Sequence, residues 1–175
     1  MKQIFTIFII LTSFFVNAQD LMQLDKNNGF KNFKFGTAHK NYSNIILDKD
    51  QISKNPYVKV YYLNPSNIYI ANIKINTIRL AFYKDKLAMI QLIINDYPKY
   101  NFDNIQNSLN SSFGKPKSIE TTGEGYNIAF WLGNKVELYH MRGDFREGYV
   151  IEENIGGFIN FADLKLKQEM NNSEF

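Results

Sequence analysis

The chain offers few residues that could carry chemistry. It has two histidines, His39 and His140, and no cysteine. Neither histidine has a second donor at metal-ligand spacing, such as H-x-x-x-H or H-x-E. In "KVELYHM", His140 alternates with Val136 and Leu138, so it shares their inward face as a hydrogen-bonded core or rim residue. His39 falls in the first turn of a polar helix and is expected in solvent. The lack of cysteine excludes a thiolate nucleophile, a disulfide framework, cysteine zinc sites and a lipid anchor on a cleavage-site cysteine. Glu137, Asp144, Glu147, Glu152 and Glu153 cluster in the last third of the chain. Two such acids facing one cleft could do hydrolytic acid–base work, and with backbone carbonyls they could hold calcium. Along a strand edge and a loop they form a solvated surface instead, which is the plainer expectation. There is no G-x-S-x-G elbow, and the glycines of "GEG" (123–125) and "IGG" (155–157) stand at turns and not in phosphate loops. These residues point away from an enzyme and call for no cofactor and no metal.

The aromatic residues carry more information. Phe, Tyr and Trp make up 15% of the chain, and eleven residues are Tyr. If Val58, Val60 and Tyr62 face the helices, Tyr57, Lys59 and Tyr61 face away. By the same alternation Ile78, Leu80 and Phe82 point in, and Arg79 and Tyr83 point out. Ile128, Phe130 and Leu132 point in, leaving Trp131 opposite, and Tyr139 opposes His140. The face away from the helices is therefore expected to carry Tyr57, Tyr61, Tyr69, Arg79, Tyr83, Trp131 and Tyr139. Tyr, Trp and Arg are the residue types enriched at interface hot spots, whereas the wet face of an antiparallel sheet usually shows polar residues. Cross-strand aromatic packing or a dimer covering the face are the alternatives.

These positions depend on the elements that hold them. "GTAHKNYSNI" predicts a helix over about 38–48, with Thr37 as N-cap and Tyr42, Ile45 and Ile46 at helical spacing. From Tyr57 to Asn95 the period is two. "YVKVYY", "IYIANIKI", "TIRLAFY" and "LAMIQLII" read as an antiparallel meander, with turns at "LNPSN" and "KDK". In "NFDNIQNSLNSSFGKP", Phe102, Ile105, Leu109 and Phe113 form a one-sided stripe, with Asn101 or Asp103 as cap. Gly114 takes the left-handed stop and Pro116 forbids continuation. "YNIAFWL" (126–132), "KVELYHM" (135–141) and "YVIEENI" (149–155) follow as strands, and the tail (162–175) is expected as a frayed helix. The fold class is α+β: two tandem helix-plus-antiparallel-sheet units, over 36–95 and 96–160, forming one continuous sheet with helices on one face. At an offset of 60, Asn41–Ile45 lies over Asn101–Ile105, Pro56 over Pro116, and Ile68–Ala71 over Ile128–Trp131.

"FGTAHKNYSNI" and "NFDNIQNSLNSSFGKP", the second a helix ending in Phe and Gly-x-Pro before a sheet, are similar to the units of the β-lactamase-inhibitor-protein-like group. Single units of this kind occur in small outer-membrane assembly lipoproteins of the SmpA/OmlA type. The resemblance covers most of the chain by pattern and implies tandem helix-plus-sheet units and an inhibitor- or immunity-like role.

The first residues, "MKQIFTIFIILTSFFVNAQD", have a positive Lys2, an apolar run from Ile4 to Phe15, and Val16 and Ala18 at the small positions of a cleavage site. A signal peptide over 1–18 is expected, with export to the periplasm or medium. The apolar run is shorter than the roughly 20 residues that span a bilayer. Cleavage after Ala18 leaves 175 − 18 = 157 residues and, with Lys2 lost, a charge of +3 − 1 = +2. Its lysines are scattered, so no basic face invites nucleic acid. The leading expectation is a secreted, non-enzymatic module that captures a protein or peptide on its aromatic sheet face. An envelope structural or assembly factor is the alternative, and a carboxylate-dependent hydrolase the third.

Overall fold

The computed structural model describes residues 21–50, 53, 55–121, 127–143 and 156–173. Residues 21–27 are helical (α1), and two short strands, β1 (Gly29–Phe30) and β2 (Phe33–Lys34), form a tight hairpin after it. Gly29, at φ 128°, is required there: an added Cβ would lie 2.1 Å from the Phe33 carbonyl oxygen. A 3-10 turn (His39–Asn41) leads to β3 (Ile46–Leu47) and β4 (Val58–Leu63). A side hairpin, β5 (Tyr69–Ile70) and β6 (Ile73–Lys74), interrupts the meander before β7 (Thr77–Tyr83) and β8 (Lys86–Ile94). Helix α2 (Lys99–Phe113) then opens a second run: β9 (Ser118–Thr121), β10 (Asn127–Leu132), β11 (Val136–Gly143), β12 (Gly156–Asp163) and α3 (Leu164–Asn172).

The main sheet has eight antiparallel strands in the order β3-β4-β7-β8-β12-β11-β10-β9. It is two four-stranded meanders, each running from an outer edge to the centre, joined where β8 meets β12. The fold is α+β, as the periodicity implied. One face is sealed. The α2 stripe of Phe102, Ile105, Leu109 and Phe113 packs there with Leu24, Phe33 and Phe35 against Leu80, Leu92, Trp131, Leu138 and Phe161. Each such fully buried side chain contributes roughly 1.5–3 kcal/mol. The turns follow their residues. Lys84 and Asp85 (φ 47° and 65°) and Ala71 and Asn72 (φ 48° and 65°) take the paired positive φ values of two-residue hairpins.

Several expectations are corrected. No α-helix covers 38–48. The stretch has few strong helix formers, Asn44 adopts φ 62°, and the chain passes from the 3-10 turn into β3. Tyr42 and Ile45 still pack on the core, and the Tyr42 hydroxyl bonds both the N–H and the C=O of Lys34. Helix α2 starts earlier than its expected caps, with Pro98 at the N-cap and no side-chain cap. Its end is as expected: Gly114 has φ 74° and its N–H bonds Asn110 O at 2.9 Å. "IYIANIKI" leaves the sheet as the β5–β6 hairpin. At the offset of 60, Asn41–Ile45 therefore faces part of α2, and β5 faces β10. The likeness of the halves lies in strand order and not in those residue matches. Helix α1 has Leu24 fully buried in the core. The tail is more than a frayed end. The Asp163 carboxylate accepts from Leu166 N at 2.8 Å as N-cap, and α3 packs on the sheet. The signal peptide, "GEG" and "YVIEENI" lie outside the described residues.

Candidate functional site

The second face of the sheet is covered by α3 at one end. There Leu166 and Met170 pack with Tyr83, Ala88, Val58 and Met89. Ala88 is the extra residue of a bulge, since Phe82 pairs Leu87 and Ala81 pairs Met89. Lys167 forms an ion pair with the buried Glu137 carboxylate and lies 5.6 Å from the Tyr139 ring centroid. At the far end of α3, Asn55, itself buried, donates to Met170 O (3.0 Å) and Ser173 Oγ (2.7 Å), which ties down the last turn.

Beyond α3 the strand register builds a transverse row across the sheet: Tyr62, Arg79, Gln91, Asn160, Tyr139 and Phe130 are direct cross-strand neighbours. All are half-buried. Phe130 and Tyr139 stack with centroids 4.6 Å apart. Arg79 Nε lies 3.4 Å from Asp48 Oδ2 yet makes no hydrogen bond to a described residue. That Nε is buried against Asp48, so the ion pair holds the guanidinium in place beside a polar centre and aromatic flanks.

The expected binding residues are dispersed. Arg79 and Tyr139 do lie on this second face. Tyr83 faces it too, but α3 buries it. Trp131 is the clearest correction. It pairs with Leu138 on the sealed face, is 0% exposed, and donates from Nε1 to Gly114 O at 2.8 Å. Every residue from Ile128 to Leu132 is apolar, so no polar side chain marked the phase of alternation. Strand β4 is inverted too, and there the one polar residue misled, because Lys59 lies on the sealed side at the open end of the strand. Lys59, Tyr61 and Leu63 pair with Phe82, Leu80 and Ile78 on the sealed side, and Val58, Val60 and Tyr62 face the other way. Tyr69 sits in the side hairpin, exposed. It borders a cavity of about 480 Å³ with Phe30, Lys31, Lys34, Ser112 and Phe113.

Tyr57 and Tyr61 meet instead at a recess of about 310 Å³, at the end of β4 on the sealed side. Its other walls are His39, Pro56, Lys59, Phe82, Lys84 and Asp85. His39 keeps 40% of its side chain exposed, as expected, and is also held. Its Nδ1 contacts the Asp85 carboxylate, which also accepts the His39 backbone N–H at 3.3 Å. The His39 side-chain hydrogen bond holds the Asp85 carboxyl below its ordinary value. The His39 ring stacks on Tyr61 (5.3 Å, 15°), and Tyr61 meets Phe82 edge-on (5.4 Å, 86°). The 46-residue separation of His39 and Asp85 hid this pair. The "KDK" turn was the only local signal.

His140 is inward, as its alternation with Val136 and Leu138 implied, and fully buried. It bonds Tyr97 Oη at 2.7 Å and Gln106 Oε1 at 2.9 Å. Gln106 Nε2 donates to Asn110 Oδ1 at 3.1 Å, so its Oε1 faces the imidazole. Hence His140 Nδ1 carries the proton and Nε2 accepts from the Tyr97 hydroxyl. Burial lowers the His140 pKa to about 3 and pushes that of the Tyr97 hydroxyl up, so both are neutral near pH 7. Gly157 makes room for this: an added Cβ would lie 2.0 Å from Tyr97 Cδ1.

Of the acids in the last third, Glu137 is spent on Lys167. Asp144, Glu147, Glu152 and Glu153 lie outside the described residues. Among the described residues no group of three or more His, Cys, Asp or Glu side chains could hold a metal, and no helix is long and apolar enough to cross a membrane.

Fold and site thus define an α+β protein built on one broad antiparallel sheet, with one sealed face and one partly covered. The sequence pattern of the TP0088 domain family matches residues 28–150, and the chain belongs to that family. The matched span opens at the β1–β2 hairpin and includes the meander from β3 to β8, α2 and β9 to β11. No curated protein and no solved structure matches the chain.

Proposed function

We propose that the chain is a secreted or periplasmic, non-enzymatic binding module that captures a protein or peptide partner on the second face of its sheet. The observation that carries this is the row Tyr62–Arg79–Gln91–Asn160–Tyr139–Phe130, half-buried on adjacent strands. Its aromatic flanks supply contact area, and Gln91, Asn160 and Arg79 supply directional hydrogen bonds. Arg79, ion-paired to Asp48 through its buried Nε and with 37% of its side chain exposed, places a cation at the centre of the row that suits an acidic group of the partner. An inhibitor- or immunity-like role is the concrete version that the resemblance implies.

The test is affinity capture from a native envelope extract with wild-type chain and with Arg79→Ala and Tyr139→Ala. Retained folding of each variant is checked by circular dichroism. A specific partner should be recovered by the wild type. Either variant should weaken binding by about 2 kcal/mol, roughly thirtyfold, as for a central hot-spot residue. Equal recovery by the wild type and both folded variants would rule out this face.

A further inference from the structure

The recess beside His39 uses residues that the proposed capture face does not touch, and it lies on the other side of the sheet. Its walls are aromatic and fixed by one another. Tyr61, His39 and Phe82 form a mutual cluster, with His39 parallel to Tyr61 at 5.3 Å and Phe82 edge-on to both, at 5.4 Å from Tyr61 and 6.1 Å from His39. Tyr57, 55% exposed, is a further wall, with Lys84 Nζ 5.4 Å from its centroid. Asp85, the one acid of the lining, already accepts from His39 twice. Lys59 and Lys84 are the cations of the lining, and the Lys84 ammonium also meets the Tyr83 side chain, 5.0 Å from that ring, with Glu169 nearby. The volume of about 310 Å³ stands at the small end of ligand pockets, enough for one or two fused rings.

We infer that this recess binds a small planar aromatic acid. The ring stacks among Tyr57, Tyr61 and Phe82, and the carboxylate meets Lys59 and Lys84. The aromatic walls select a flat apolar body, because offset and edge-on ring contacts add to its burial. The lysines select an anion over its neutral isostere. Asp85 holds the His39 ring parallel to Tyr61 and so acts on the ligand through position alone.

The probes are naphthalene-2-carboxylate and its neutral analogue 2-naphthamide, titrated into the full chain and followed by two-dimensional amide NMR and calorimetry. The acid should bind saturably with a dissociation constant between about 0.1 and 10 mM, as expected for a ligand of its size. Shifts should concentrate at His39, Tyr61, Phe82 and Lys84. The amide should bind at least about fivefold more weakly, and raising the salt should narrow that gap. Lys59→Gln, at an exposed position that leaves the fold intact, should weaken the acid about fivefold and leave the amide unchanged. Tyr61→Ala should abolish binding of both, and if that variant does not fold, Lys59→Gln carries the test. Equal affinity for acid and amide, shifts centred elsewhere, or no saturation at about 20 mM would each overturn the assignment. Failure here would leave the capture face untouched, since Arg79 and Tyr139 take no part in it.

Discussion

The two histidines sit in opposite regimes. His140 lies under α2, bonded on both ring nitrogens, with its charged form excluded by burial. His39 lies at an open recess, bonded to Asp85 on one nitrogen and stacked on Tyr61. The same side chain is a neutral strut in one place and a wall of a cavity in the other. The difference comes from what surrounds each ring. The His140 surroundings offer a phenol and an amide, which satisfy a neutral imidazole. Those of His39 offer a carboxylate and solvent. Buried polar networks of the first kind specify a unique packing when fully satisfied, and they are costly when a member is lost.

The sharpest way to break the sealed regime is Gly157→Ala. The new methyl would collide with the Tyr97 ring and drive the phenol off His140, so unfolding in urea should show a loss of about 3 kcal/mol. Acid should act more gradually. The His140 pKa is lowered from 6.5 to about 3, so between those values the unfolded chain binds a proton that the folded chain refuses. Stability should therefore be intact above pH 6.5 and fall as pH drops through that window, by up to about 1.4 kcal/mol per pH unit from this group. His140→Gln should flatten that slope in denaturation series run between pH 4 and 7. The smallest effect is expected at the open histidine. His39→Gln should leave the urea midpoint close to wild type, because exposed ion pairs contribute little. The same change should perturb naphthalene-2-carboxylate binding. A stability loss as large as that of Gly157→Ala would erase the contrast.

Much of the frame was legible in the sequence. The α2 stripe, its stop at Gly114 and Pro116, the "KDK" hairpin and the inward phase of His140 all follow from periodicity and turn chemistry, which are local. The site was less legible. Trp131 falls on the other face from the one expected because its strand neighbours are all apolar and gave a period without a phase, and Tyr61 because the polar Lys59 beside it suggested the opposite phase. Cross-strand pairing to Leu138 and Leu80 sets that phase, and pairing is non-local. Burial of Tyr83 depends on α3, a segment more than 80 residues downstream whose hydrophobic stripe is only Leu166 and Met170. His39 and Asp85 come together because Ala38 bridges Lys86 across the end of the sheet. No local pattern announces such a contact.

The position of β12 has a consequence for how the chain comes together. It is the last strand among the described residues, yet it lies in the middle of the sheet, hydrogen-bonded to β8 on one side and β11 on the other. Until residues 156–163 are in place, each meander ends in a long strand with an unpaired inner edge. Such edges invite pairing with another chain. Closure of the sheet thus depends on residues 156–163, which work as a keystone between the two meanders. A nascent or truncated chain without it would expose two sticky edges, and its hazard would be aggregation rather than simple loss of stability.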